Sequence, residues 1–367
     1  MQRRKLRIFM ATLAPLSPEF GASQIAINLA SALRDRGHSV TLWNPEPKPA
    51  SIRWIWFIPW ARRQLEQAIA EGGPFEVVDV PPVMITHRVA RSAPLVIARS
   101  VQPDLRYLAC EMAEAGRKML RQPFRSAAII GYNLYLSALV ITGWHRAQIV
   151  LCLGHHEEAW MKRWFPWLTP KIARYFAAPA PEDRERFKCV RQLRTDPSGP
   201  GIRFLWIGRW APHKGTRRLL AFIQARAHTH PHDTFTIAGC GDGARSEIPA
   251  ELVKCGRVRI IPAFSRDALV DLLMTHDAGL FTSTVEGWGL CLHEMLESGM
   301  PVYATEAGAV PELRPWFPDL LFNFPPSANE GSPAPAKIPL DRVYEEKFSW
   351  NTVAEVYEGI CLKLCRE

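Results

Sequence analysis

The chain has 367 residues, 45 Lys+Arg against 36 Asp+Glu, a formal charge of +9 and 47% apolar residues. That composition excludes a disordered or collagen-like chain and a small stapled scaffold, because apolar surface is ample for a core. At roughly 100–200 residues per domain, two domains are expected. The charge is uneven: residues 1–180 hold 23 Lys+Arg and 12 Asp+Glu (+11), whereas residues 181–367 hold 22 and 24 (−2). Such asymmetry points the first half at something anionic, whether nucleic acid, a phosphorylated substrate or a membrane face, with a plain basic surface as the alternative. Eight cysteines (Cys110, Cys152, Cys189, Cys240, Cys255, Cys291, Cys361, Cys365) form no CxxC pair. They read as reduced thiols of a cytosolic protein, not as a disulfide frame or a zinc site.

In chain order, residues 6–13 read as a buried strand. Arg3, Arg4, Lys5 and Arg7 precede an apolar run, but the run is too short for a signal peptide and no clean cleavage site follows. Pro15, Pro18 and Gly21 punctuate a loop. Ile25, Leu29, Ala32 and Leu33 give helical spacing over 24–36. Gly37 stops that helix, and 39–43 (SVTLW) is the next strand, completing a βαβ unit. Strands follow at 77–80, 95–99, 149–153 and 172–177. Between them, 127–144 is 18 residues without charge, diluted by Tyr132, Asn133, Tyr135 and Ser137 and preceded by Arg117, Lys118, Arg121 and Arg125. Three readings stay open: a helix lying in an anionic membrane interface, a core helix, or a span.

Residues 181–200, rich in Pro and charge, read as a linker. The α/β rhythm then resumes with strands at 203–207, 234–238, 258–262, 279–282 and 301–304, and helices at 217–227, 266–274 and 290–298. No internal repeat of 20–50 residues is visible. The alternation predicts two doubly wound α/β domains, with a ligand at the carboxyl ends of the strands, in the cleft between them.

Three loops carry chemistry. Glu286 and Glu294 are eight residues apart and flank Gly287-Trp288-Gly289, just ahead of a helix. Such a loop presents backbone N–H groups at a helix N-terminus, where an anion or a sugar hydroxyl can bind. A buried carboxylate at Glu294 needs a hydrogen-bonding partner. The second loop runs from Gly208 to Gly215 after a strand and holds Arg209 and Lys214, able to clamp a diphosphate as a fork and a point charge. The third is Gly239-Cys240-Gly241-Asp242-Gly243, a tight turn that admits a base or ribose but does not match GxGxxG. His228, His230 and His232 read as a surface loop rather than a metal site.

Together these segments resemble the retaining family-4 glycosyltransferases, whose pattern is G-R-x4-K-G, then a G-x-G-type turn, then E-x7-E. Further likenesses are Gly299-Met300-Pro301-Val302 with Thr305, Gly308 and Pro311-Glu312, and Phe348-Ser349-Trp350 opening a last helix. The resemblance implies the GT-B fold, two Rossmann-like domains facing a cleft. It implies domains at 1–180 (with a crossover helix at 348–367) and 201–347. By resemblance, Glu286, Arg209 and Lys214 are catalytic, with Arg209 and Lys214 neutralising the leaving diphosphate. Glu294 would accept ribose hydroxyls, and Glu286 sugar hydroxyls with help from Trp288, Gly289 and Leu290. Gly21, Gly208, Gly239, Gly241, Gly243 and Phe264 complete the donor site. Two departures stand out: Ala22 follows Gly21 where a second Gly is common, and no His follows the strand at 95–99. Arg99, Ser100, Gln102 or Asp104 would line the acceptor side instead.

The resulting expectation is a retaining, metal-independent glycosyltransferase with no cofactor. It would use a UDP- or GDP-linked nucleotide-sugar and a glycan, lipid or lipid-linked acceptor. Its expected place is the cytoplasm, peripheral on the inner membrane face through residues 117–144. The alternative is a catalytically silent GT-B nucleotide-sugar-binding protein. A nucleic-acid partner, prompted only by charge, lacks any binding motif.

Overall fold

The computed structural model describes residues 4–194, 199–327, 343 and 347–364. Two compact units divide the chain: Met1–Ala178 with Lys347–Glu367, and Pro179–Glu346. Both are α/β, each built on a six-stranded parallel sheet.

The first sheet has the order β2-β1-β3-β4-β5-β6. Its strands are β1 (Arg7–Ala11), β2 (Ser39–Trp43), β3 (Val77–Val80), β4 (Leu95–Arg99), β5 (Ile149–Leu153) and β6 (Ile172–Tyr175). Every residue of β3, β4 and β5 is buried, as parallel strands covered on both faces require. Helix α1 (Gly21–Asp35) joins β1 to β2 and buries Ile25, Leu29 and Leu33 at helical spacing. Helices α2 (Phe57–Gly72), α3 (Asp104–Arg117), α4 (Pro123–Arg146) and α5 (His155–Trp164) complete the crossovers. The last helix (Trp350–Leu364) packs on α1. It is fixed there by polar bonds: Arg36 pairs with Glu358 at 2.5 Å, and the Tyr357 hydroxyl donates to Asp79 at 2.8 Å. Residues 365–367, expected in that helix, lie outside the described residues.

The stretch 181–200, expected as a linker, is largely helical and part of the second unit. A single turn at Pro181–Asp183 leads into α6 (Arg184–Leu193), which buries Phe187 and Val190. Proline at the first helical position and acidic residues beside it favour a helix start rather than a break. Residues 195–198 lie outside the described residues.

The second sheet comprises β7 (Arg203–Ile207), β8 (Thr234–Ala238), β9 (Val258–Ile261), β10 (Ala278–Phe281), β11 (Val302–Ala304) and β12 (Leu321–Asn323). Its order is β12-β11-β10-β7-β8-β9. The chain therefore runs outward from β7 to β9, returns to the other side of β7 as β10, and runs outward again. The reversal between β7 and β10 opens a crevice at their carboxyl ends, the usual ligand position of a doubly wound sheet. Helices α7 (Thr216–Thr229), α8 (Ala250–Lys254), α9 (Arg266–Thr275), α10 (Leu290–Glu297) and α11 (Val310–Leu313) connect these strands.

Candidate active site

The loops after β7 and β10 are bonded to each other at the reversal point. The Thr282 hydroxyl donates to the Lys214 carbonyl at 2.9 Å and accepts the Trp206 indole N–H at 3.1 Å. The backbone N–H groups of Thr284 and Val285 donate to the His213 carbonyl at 2.7 and 3.1 Å. Gly215 makes this approach possible. Its φ is +69°, and a Cβ there would lie 1.9 Å from the Thr282 carbonyl oxygen. The consequence is a contact across 72 residues of sequence: Lys214 Nζ lies 2.5 Å from Glu286 Oε2. The Ser283 hydroxyl donates to the same oxygen at 3.1 Å. Both charged side chains are only 15% exposed.

Burial and the ion pair oppose each other here. Burial pushes the Glu286 carboxyl up and the Lys214 ammonium down, but the partner's charge and the hydrogen bonds to each group together outweigh it. Glu286 is held below its ordinary value and Lys214 above, so both stay charged at neutral pH. His213 is pushed down to about 4 by burial and by the Lys214 charge, so it is neutral there. Arg209 is exposed at the start of the loop, close enough to bear on His213 and Lys214 electrostatically.

The loops after β8 and β9 reach the same edge. Gly208 N–H donates to the Ala238 carbonyl at 2.9 Å, Gly239 N–H to Ile261 at 2.8 Å and Gly241 N–H to Pro262 at 2.9 Å. Gly208, Gly239 and Gly241 all take positive φ. The Phe264 ring closes over Gly239, and Trp210 packs beside Gly243. These glycines therefore shape one strip of backbone beside Arg209.

Helix α10 starts beyond Gly289, whose φ is +87°. Trp288 points inward and is buried, with its indole N–H donating to His293 Nδ1 at 3.2 Å. His293 Nε2 lies 3.6 Å from Glu297 Oε1. The Trp288 carbonyl accepts the Ala309 N–H at 2.9 Å. Trp288 is thus the anchor of the turn, and Leu290, half-buried, opens the helix. Glu294 is buried and paired with Arg266 at 2.8 Å, and Arg266 also pairs with Asp183. Sequence spacing did not single out Ser283, Arg266, Thr282 or His293. The only signal for Arg266 was that a buried Glu294 needs a partner.

In the first unit, Gly21 is exposed at the start of α1. Arg99, expected on the acceptor side, is instead in the core at 2% exposure. It bonds Asp79 at 2.8 Å and the Ala11 carbonyl at 3.0 Å, holding β1, β3 and β4 together at their carboxyl ends. An ion pair on adjacent buried strands accounts for it. Ser100, also expected to line that side, is buried. Its hydroxyl lies 2.6 Å from Glu157 Oε1 and 2.5 Å from the Gln102 carbonyl. Burial pushes Glu157 up to about 7, against the hydrogen bonds from the Ser100 hydroxyl and the Leu153 N–H, which favour its charged form. Gln102 and Asp104 are half-buried, and burial with the nearby Glu157 raises Asp104 well above its ordinary value.

Residues 201–323 match the family model described as Glycosyl transferases group 1. The matched segment contains Arg209, Lys214, Glu286 and Glu294. In sequence, the chain is 29% identical over 195 residues to the gpi3 subunit of phosphatidylinositol N-acetylglucosaminyltransferase of Schizosaccharomyces pombe, covering 47% of this chain and 42% of that protein. It is 29% identical over 127 residues to glycogen synthase of Mycobacterium tuberculosis, covering 34% of this chain and 29% of that protein. The chain spans less than half the length of these curated relatives. In structure, it resembles the catalytic domain of Starch Synthase IV from Arabidopsis thaliana, solved with ADP and acarbose. The TM-score is 0.63 at 11% identity, with 99% of this chain and 100% of that chain covered. The fold is GT-B.

Proposed function

We infer that this protein is a retaining glycosyltransferase. It moves a sugar from a UDP- or GDP-linked donor to a hydroxyl of a glycan, lipid or lipid-linked acceptor at a cytoplasmic membrane face. The observation that carries this reading is the Lys214–Glu286 pair at the strand-order reversal, flanked by Arg209 and glycine turns, inside the segment matching glycosyl transferases.

The donor diphosphate would lie against Lys214 and Arg209, with the base or ribose near Gly239–Gly243 and Phe264. Glu294 would serve the ribose and Glu286 the sugar hydroxyls. As the bond from the anomeric carbon to the diphosphate oxygen breaks, negative charge grows on the leaving group. Lys214, held in place by Glu286, and the neighbouring Arg209 would stabilise that charge without a metal. The acceptor oxygen bonds the anomeric carbon on the vacated face, and its proton leaves with the diphosphate. Gly21, Gln102 and Asp104 remain the first unit's candidates beside donor and acceptor.

A thermal-shift screen of UDP-, GDP- and ADP-sugars finds the donor, and NMR of the product then reads the anomeric coupling. An α-linked donor giving an α-linked product supports retention, and a β-linked product overturns it. Donor binding with no turnover on any acceptor identifies a silent nucleotide-sugar binder instead.

A further inference from the structure

Helix α4 is inside out for a soluble domain. It is long and apolar enough to cross a membrane, yet only 22% of its most apolar stretch is buried. Its buried residues are Ser126, Asn133, Val140, Gly143 and Trp144, and Leu136 and Leu139 pack half-buried against the core. The opposite face carries Phe124, Ala128, Gly131, Leu134, Ala138 and Ile141, all exposed, at steps of three or four. That is an uncharged stripe of about 25 Å at 1.5 Å per residue. The C-terminal part of α4 is core, through Val140 and Trp144, but the core reading leaves the exposed apolar stripe uncovered. A free span fails. A Cβ at Gly143 would lie 2.0 Å from the Pro82 carbonyl oxygen, so the helix is clamped to its unit, and it leads through Ala147 into β5.

The turn between α3 and α4 sharpens the pattern. Leu120 and Phe124 are 99% and 91% exposed. Around them stand Arg117, Lys118, Arg121 and Arg125. Glu114 pairs with Arg117 at 2.7 Å and with Lys118 at 3.1 Å. Among the described residues, neither Arg121 nor Arg125 has a carboxylate partner. Midway along α4, Trp54 packs edge-on against Tyr132 at 4.6 Å while 50% exposed, and nearby Trp56 is 58% exposed. Tryptophan with one face free is the side chain best suited to a headgroup region.

We propose that the first unit docks on an anionic lipid bilayer through this hairpin. Leu120 and Phe124 enter the acyl boundary, the four cations lie on the phosphates, and the apolar stripe of α4 with Trp54 and Trp56 rests in the interface. Charge selects the occupant. A second copy laid on the same face would bring two cationic turns together, whereas an anionic surface neutralises them. Docking deepens the membrane-face part of the function above, but it requires no turnover, so the two stand or fall by separate tests.

The test is flotation with vesicles of phosphatidylcholine alone or mixed with phosphatidylglycerol, at low and high salt. The wild-type chain floats with the anionic vesicles and far less with the neutral ones. Arg121→Gln/Arg125→Gln weakens partitioning by roughly fivefold per cation, about 25-fold in all. Leu120→Ser/Phe124→Ser abolishes the binding that survives high salt. Both pairs are exposed, so melting temperatures match the wild type. Wild-type protein that does not float, or variants that float as it does, overturns the proposal. So does a concentration-dependent dimer that Leu120→Ser/Phe124→Ser dissolves without any flotation.

Discussion

Replacing Lys214 by Met removes the ammonium 2.5 Å from Glu286 and leaves the carboxylate with Ser283 and a neutral His213. At 15% exposure, Glu286 recovers little hydration. Breaking a fully buried pair costs about 3–5 kcal/mol, so about 2–3 kcal/mol is expected for this partly buried one at pH 8. For a domain of this size that is a fall of about 5–10 °C in melting temperature. The sign with pH follows. In the wild type Glu286 is held below 4.5, so its contribution is present above that pH and is lost as pH falls through the folded value. Lys214 is held above 10.5, so its contribution persists up to that pH. In the variant, uncompensated burial raises Glu286, which then takes up a proton and relieves the penalty in acid. Calorimetric melts should therefore show a deficit at pH 8 that shrinks by more than half at pH 5. Lys214→Met/Glu286→Gln should return to within about 1 kcal/mol of wild type. A deficit equal at both pH values, or a double variant worse than the single one, would refute this electrostatic account.

Three further outcomes follow from the geometry. Glu157, pushed up from 4.5 to about 7, favours the native state fully below pH 4.5 and loses that contribution as pH rises to 7 and beyond, by about 3 kcal/mol at most. Glu157→Gln should accordingly gain on wild type in urea melts from pH 5 to pH 8, and a constant difference would count against a burial-raised Glu157. Gly215→Ala combines a left-handed φ with a Cβ 1.9 Å from a carbonyl oxygen, so it should destabilise by about 2–4 kcal/mol and weaken nucleoside diphosphate binding; unchanged affinity in calorimetry would contradict the loop assignment. Trp288→Phe and His293→Leu should couple by about 1 kcal/mol in a double-mutant cycle, whereas strict additivity would remove the bond between them.

Much of the scaffold was legible because buried parallel strands are continuous apolar runs. LVIAR, IVLCL, RFLWI and TFTIA all appear as strands at the positions read from sequence, as does the edge strand SVTLW, where only Val40 is buried. Helix α2 escaped assignment because its start is crowded with aromatics and Pro59, which sits in the first turn where proline is tolerated. The linker reading failed for a related reason: Pro181 and its acidic neighbours start a helix whose apolar pair, Phe187 and Val190, was too sparse to stand out. At the site, the loop motifs and the family resemblance pointed to Lys214 and Glu286 separately, but only the sheet order brings them together. Arg99 misled because it ends the strand after which the resemblance places an acceptor-side residue. Its partner Asp79 lies on the neighbouring strand, which no local window contains.

The most direct measurement is release of nucleoside diphosphate from UDP- and GDP-sugars by the purified chain. Glu286→Gln, Lys214→Met and Arg209→Met should be compared with it at pH 7. The wild type should turn over one donor class, and each substitution should lower kcat by about 100-fold or more, the usual loss for a charge-stabilising group. Full activity in all three variants, or wild-type protein that neither binds nor cleaves any nucleotide-sugar, would contradict the assignment of this crevice.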